Sequence, residues 1–248
     1  MKVDGWEIMN CYVINLDRAT DRLAFQKEQF ARFGLKFERV PACVDDPAAV
    51  NRFRWWCAML RPRVRGEVGC ALSHAKVFKL MLGRGESCAA IFEDDVRMSE
   101  CIVEALRMAE EACLRDPKRV VLLGLHHRTK RGEDVAVAGS KLEIIEEEWD
   151  FCAEGYVLGR EAAKNLTEHQ QRVRICADAW GYFRKKGWIH LSRVTPPITC
   201  QAVEEHASSL GSRYVAANHG FVERCWWKAR RVVGVILDAL MDGGRLGW

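Results

Sequence analysis

The chain contains no stretch of about 18 uninterrupted apolar residues, and its first residues, MKVDGWEIMNCYVINLDR, lack a basic segment followed by an apolar one. The expectation is a cytoplasmic protein, neither exported nor membrane-spanning. The 11 cysteines include no C-x-x-C pair, and many of them sit inside apolar runs. This argues for reduced, mostly buried thiols. Charge of one sign is also missing. The 38 Lys plus Arg against 34 Asp plus Glu leave a formal net charge of +4, too mild and too dispersed for a general nucleic-acid binder. Internal repeats and low-complexity tracts are absent, and no glycine-rich phosphate loop lies near the first strand-like run.

What is present suits one α/β domain. With 248 residues, 49% of them hydrophobic, the chain can bury one substantial core. CYVINL (11 to 16) reads as a buried strand ending at Asp17. A helix capped by Thr20 follows, with Leu23, Lys27, Phe30 and Phe33 near one face and Gly34 at its C-terminal end. FERVPA (37 to 42) reads as a second strand and completes a β-α-β unit. Residues 45 to 66 mix Pro, Arg and a Trp pair without a clean period, as in a loop-rich connection. CALSHAKVFKLML (70 to 82) is an amphipathic helix with a glycine stop. CAAIF is a strand, 101 to 114 a helix, and RVVLLGL (119 to 125) another strand. KLEIIEEEW and FCAEGYVLG read as strands, REAAKNLTEHQ as a helix and GWIHLSRV as a late strand. This alternation predicts a single Rossmann-like, mostly parallel sheet flanked by helices over residues 1–218.

CAAIFEDDVRM (88 to 98) runs an apolar strand straight into Glu93, Asp94 and Asp95. Along a strand, side chains alternate, so Glu93 and Asp95 would share a face, with Asp94 on the other. Their Cα atoms would lie roughly 6.6 Å apart, at which two unit charges repel by roughly 0.6 to 2.5 kcal/mol for effective dielectrics of about 80 to 20. A divalent cation turns that cost into a binding site. Hard oxygen ligands suit Mg²⁺ or Mn²⁺, and ligands of open α/β sheets bind beyond the carboxyl ends of strands. The pattern alone is equally consistent with an exposed acidic turn.

Three segments carry a resemblance beyond this stretch: YVINLDRATDR (12 to 22), RGEVGCALSHAKVF (65 to 78) and IFEDDV (91 to 96). In this order and spacing they resemble glycosyltransferase family 25, the bacterial lipooligosaccharide and lipopolysaccharide galactosyltransferases, to which the collagen galactosyltransferases also belong. AEGYVLGREAAKNL (153 to 166) and CADAW (176 to 180) continue it more weakly. The resemblance implies a GT-A-like fold, a UDP-sugar donor, most often UDP-galactose, and inversion at the anomeric carbon.

It also implies roles. Asp95 and then Glu93 are the expected metal ligands for Mn²⁺ or Mg²⁺, with Asp94 on the donor's ribose or sugar, or with the roles of Glu93 and Asp94 exchanged. Asn15, Asp17, Arg18 and Arg22 are candidates for contact with base, ribose or phosphates, although Arg22 equally fits a solvated helix charge. Ser73 and His74 resemble the family's SH pair and are candidates for donor contact. A lone histidine is more often a hydrogen-bonded structural residue. Glu67 is placed to brace this loop, and Gly69 permits close backbone approach. An inverting transfer needs a base for the acceptor hydroxyl. Asp178 aligns with the family's acidic segment, where CAD stands in place of the common PVD, and Glu154 is the second candidate. Trp180 is expected to stack on a sugar ring.

The tail, 219–248, reads as an amphipathic helix, with Trp226, Trp227, Lys228, Arg230 and Arg231 beside a short apolar run. It would lie on the cytoplasmic face of the inner membrane, or pack on the core or on a second subunit. The expected partners are a UDP-sugar and a saccharide or lipid-linked glycan acceptor. Two other readings remain at this point: a non-catalytic family member that binds glycan or scaffolds an assembly, and a sugar-phosphate nucleotidyltransferase.

Overall fold

The computed structural model describes residues 2–3, 6–7, 9–44, 64–124, 135–148, 150, 153–169 and 176–202. The irregular connection expected over 45 to 66 falls mostly outside these residues, as does the tail 219–248. The described residues belong to one unit, Met1–His206.

Eleven strands and five helices make up the described chain. The strands are β1 (Lys2–Val3), β2 (Trp6–Glu7), β3 (Cys11–Asn15), β4 (Glu38–Pro41), β5 (Cys88–Glu93), β6 (Val96–Met98), β7 (Arg119–Leu122), β8 (Glu143–Glu146), β9 (Gly155–Gly159), β10 (His190–Thr195) and β11 (Thr199–Gln201). The helices are α1 (Thr20–Arg32), α2 (Val64–Gly83), α3 (Ile102–Arg115), α4 (Arg160–His169) and α5 (Trp180–Lys185). The central sheet has seven strands in the order β4-β3-β5-β9-β7-β10-β8. Strands β3, β4, β5, β7 and β10 run one way, while β8 and β9 are reversed. The mostly parallel expectation therefore holds, with two antiparallel strands inserted. A short antiparallel ribbon of β6 and β11 extends from the end of β5.

The inner strands β3, β5, β7 and β9 are buried on both faces because helices cover both. Cys88, Ala90 and Phe92 of β5 join Cys11, Val13 and Val157 in a core that includes Phe30 of α1 and Ile102, Leu106 and Ala109 of α3. Ala89 and Ile91 point the other way, with Tyr12, Ile14, Tyr156 and Leu158, into a core built with α2, α4 and α5. Strand alternation thus assigns each residue of β5 to one of two helical layers.

Helix α1 departs from its expected pattern. Its N-cap is Ala19, without a side-chain cap bond, and Thr20 is the first helical residue. Its buried residues are Arg22, Gln26, Gln29 and Phe30; of the expected stripe Phe30 is buried, Leu23 and Phe33 are half-buried and Lys27 is exposed. A polar face can be buried here because Arg22, Gln26 Nε2 and both ends of Gln29 find partners in the acid turn and in the backbone of β6. The C-terminal end is as expected: Gly34 adopts φ 64°, its N–H donates to Ala31 O, and Leu35 N donates to Phe30 O. This pair of bonds is a Schellman motif. Beyond it, α1 hands the chain to β4, parallel to β3.

Gly159 joins β9 to α4 against the turn before β7. A Cβ at this position would stand 2.5 Å from Pro117 O and 2.8 Å from Pro117 C, backbone atoms that cannot swing aside. Gly159→Ala should therefore lower unfolding stability by about 1–3 kcal/mol, measured as a lower urea midpoint at unchanged slope. An unchanged midpoint would contradict this close packing.

Candidate functional site

The acid segment is fixed through its main chain before its side chains are considered. Strand β5 stops at Glu93, and Asp94 and Asp95 form the turn into β6. Glu93 N donates to Glu154 O at 2.9 Å, and Ala202 N donates to Asp95 O at 2.8 Å. Gln26 Nε2 donates to Asp94 O at 3.2 Å and to Val96 O at 2.7 Å. Gln29 Nε2 also reaches Val96 O, at 2.7 Å, while its Oε1 accepts from Met98 N. Three consecutive acids thus stand on a backbone held from β9, β11 and α1.

The three side chains diverge. Glu93, continuing the face of Ala89 and Ile91, meets α2: its Oε1 lies 3.5 Å from both Cys70 Sγ and His74 Nε2. Asp94 turns to the opposite face and is buried, with Oδ2 accepting from Asn15 Nδ2 at 2.7 Å and Oδ1 from Arg22 at 3.0 Å. Asp95 Oδ2 lies 3.6 Å from the same guanidinium nitrogen. Alternation thus separates Glu93 from Asp94 as expected, but it does not extend to Asp95, because the chain turns at Asp94. Asp95 and Asp94 share Arg22. Asp95 Oδ1 is buried and has no hydrogen-bond partner among the described residues. Burial, followed by the Glu93 charge, pushes Asp95 up to about 7, with Arg22 opposing and Asp94 adding to the shift. The cluster has more negative charge than its one guanidinium offsets.

Around the end of β3, Asn15 is a junction. Its Nδ2 also donates to Ala19 O, and its Oδ1 accepts from Arg39 Nε at 2.8 Å. Arg39 pairs in turn with Asp17, and Asp17 and Arg18 are exposed. The structure therefore brings Asn15, Arg22, Asp94 and Asp95 together and leaves Asp17 and Arg18 open to solvent beside them. Sequence reading missed Gln26, Gln29 and Arg39. The signal was the polar spacing of Arg22, Gln26 and Gln29 on one helical face.

On the α2 side, Ser73 is buried and ties the helix to the segment after β4. Its hydroxyl donates to Gly69 O at 2.6 Å and accepts from Cys43 N at 2.8 Å. Gly69 allows this approach, since a Cβ there would lie 2.6 Å from Cys43 O. His74 is buried, with Nδ1 2.7 Å from the Tyr156 hydroxyl. Tyr156 packs edge-on against Trp180 at 4.8 Å between ring centroids. Trp180 is fully buried in this core, so it cannot stack on a sugar ring as its motif suggested.

The two base candidates occupy different settings. Glu154 is buried directly before β9, and its Oε1 would lie 2.1 Å from a Cβ placed at Gly124. It therefore stands between the carboxyl ends of β5 and β7. Asp178 is half-buried in the turn that leads into α5. A separate concavity of about 450 Å³, lined by Leu23, Lys27, Phe30 and Arg39 among others, contains no carboxylate and is not where the acids act.

Asp94→Ala should reduce stability by about 3 kcal/mol, at the low end for removing one member of a buried ion pair, because Asp95 remains close to Arg22. Chemical denaturation measures this. A loss below about 1 kcal/mol, typical of an exposed pair, would contradict an anchoring role.

A family model described as Glycosyltransferase family 25 (LPS biosynthesis protein) matches residues 8–180. The chain is 25% identical over 188 residues to a glycosyltransferase 25 family member of Anopheles gambiae, a match that covers 69% of this chain and 31% of that protein. It is 28% identical over 172 residues to the lacto-N-neotetraose biosynthesis glycosyltransferase LgtB of Neisseria meningitidis serogroup B, covering 63% of this chain and 60% of that one. It is 27% identical over 115 residues to a probable inactive glycosyltransferase 25 family member 3 of Bos taurus, covering 46% and 19%. The chain thus spans about a third of the length of its insect relative. Since the model match takes in the ends of β3 and β5, the helix that carries Ser73 and His74, and the acids themselves, the chain belongs to glycosyltransferase family 25.

Proposed function

We propose that the protein is an inverting glycosyltransferase that moves galactose or a related hexose from a UDP-sugar to a saccharide acceptor of a lipopolysaccharide or lipooligosaccharide glycan. The observation that carries this reading is the acid cluster itself, delivered to the carboxyl edge of the sheet with Asp95 Oδ1 buried and without a hydrogen-bond partner among the described residues. Such a cluster fits a hard divalent cation. Asp95 would hold Mn²⁺ or Mg²⁺ with the donor's phosphates completing the set, while Glu93, the second ligand expected from the sequence, turns toward Cys70 and His74 of α2. Bound there, the ion supplies positive charge against the leaving diphosphate.

The chain's own groups account for the remaining steps. Asp17 and Arg18, exposed beyond β3, are placed to meet the nucleotide. Asn15, Arg22 and Asp94 hold the turn and so orient Asp95, while Ser73 and His74 keep α2 against the sheet edge. Asp178, or Glu154 in its place, takes the acceptor hydroxyl's proton as the new bond forms on the face opposite the leaving group. No helix among the described residues is long and apolar enough to cross a membrane. Contact with the cytoplasmic face of the inner membrane is assigned to the 219–248 tail, which would bring the site to a lipid-linked acceptor.

A non-catalytic role is the second reading, favoured by CAD in place of PVD and by the likeness to a probable inactive relative. Purified protein incubated with a panel of UDP-sugars and Mn²⁺ should release UDP. Asp95→Asn should slow release by about 100-fold or more, the range for removing one electrostatic partner. If no donor is turned over and calorimetry detects no UDP binding with or without Mn²⁺, the non-catalytic reading stands. If Asp95→Asn is folded and equally active, the assignment of Asp95 to the metal fails.

A further inference from the structure

We propose that Cys70, His74 and Glu93 form a second cation site, for a thiophilic divalent ion with Zn²⁺ as the best fit, separate from the ion assigned to Asp95. Cys70 and His74 are one turn apart on α2 and present their ligand atoms on one face. Glu93 ends β5 on the side of the sheet that α2 covers. Cys70 Sγ, His74 Nε2 and Glu93 Oε1 all lie within 4.8 Å of one another, and both distances to Glu93 Oε1 are 3.5 Å. Ligands held tetrahedrally around zinc, at bond lengths of about 2.0–2.3 Å, stand roughly 3.5 Å apart. Two of the three edges already have this length, and the third, from Cys70 to His74, lies within 4.8 Å.

A second observation concerns the imidazole. His74 is 2% exposed, yet its Nε2 makes no hydrogen bond among the described residues, although Glu93 Oε1 stands 3.5 Å away. A buried ring nitrogen aimed at a carboxylate, too far for a hydrogen bond, is the geometry that an intervening cation would resolve. The other nitrogen is held by the Tyr156 hydroxyl at 2.7 Å; in the tautomer that carries its proton on Nδ1, the Nε2 lone pair faces Cys70 and Glu93. The outer partner sets the tautomer and the ring angle. Burial keeps the Tyr156 phenol protonated, so that partner stays neutral.

Binding takes the Cys70 proton to solvent and leaves a thiolate on the ion. One N, one S and one O ligand favour zinc over the manganese or magnesium that an all-oxygen site selects. Glu93, with its side chain 28% exposed, is the route of entry, and a fourth position remains for water or another group. An ion here would pin α2 to the end of β5, one residue before the anchored Asp94. The inference does not depend on the transfer reaction: a chain that turns over no donor would still bind zinc.

Cobalt is the probe that reads the sulfur. Full-length protein stripped with chelator and titrated with Co²⁺ should develop a near-ultraviolet thiolate-to-cobalt absorption that saturates at one ion per chain. Zn²⁺ should abolish it, and equal Mn²⁺ should leave it. Cys70→Ser should remove the band, Glu93→Gln should weaken Co²⁺ binding by about 10-fold or more, and Asp95→Asn should retain it. No band in the parent protein, or a band that survives Cys70→Ser, overturns the site. Loss of the band in folded Asp95→Asn overturns its separateness from the acid turn. Circular dichroism of each variant establishes folding, and the parent titration decides the matter even if a variant fails to fold.

Discussion

A buried carboxylate fixes the geometry of everything around it. Asp94 is withdrawn from water at the point where β5 turns, and its two oxygens are taken by Asn15 of β3 and Arg22 of α1. Burying a carboxylate is costly unless it is paired and hydrogen-bonded, so the turn has one satisfactory position, the one in which these three elements meet. The same helical face supplies Gln26 and Gln29 to the carbonyls of Asp94 and Val96. A polar helix face, which would be a defect against an apolar sheet, here serves as a clamp. With Asp94 locked inward, Asp95 is held at the edge.

The two faces of the sheet then deliver different chemistry to one edge. On the α1 side there are oxygens and a guanidinium, suited to a hard cation and a diphosphate. On the α2 side there are a thiol, an imidazole and the Glu93 carboxylate, suited to a softer ion. Glu93 sits between them because it is the last residue of β5 to obey strand alternation. Its negative charge also accounts, after burial, for the raised value of Asp95. A change at Glu93 is therefore felt on both sides.

Much of the fold was legible because its signals were local. The apolar runs of β3, β5 and β7, Gly34 after α1 and the amphipathic pattern of α2 each depend on neighbours in sequence. The reversed direction of β9 was not legible, since GYVLG reads the same whichever way it runs between two buried faces. Helix α1 misled for a related reason: its buried side faces a polar turn about 70 residues away, and nothing local announces that. Within the site, Asp94 and Asp95 were singled out but not ranked by burial, and Trp180 looked like a stacking platform until the core closed over it. Cys70 was one cysteine among many, because its meaning depends on Glu93 arriving from another element.

The central claim is that Asp94 is the anchor and Asp95 the acid that holds the cation. Electron paramagnetic resonance of Mn²⁺ in the presence of UDP, comparing the parent protein with Asp95→Asn, tests it most directly, since bound ions drop out of the free-ion signal. The account predicts one tightly bound Mn²⁺ per chain in the parent and loss of that binding in folded Asp95→Asn. Equal Mn²⁺ binding by the two proteins would contradict it.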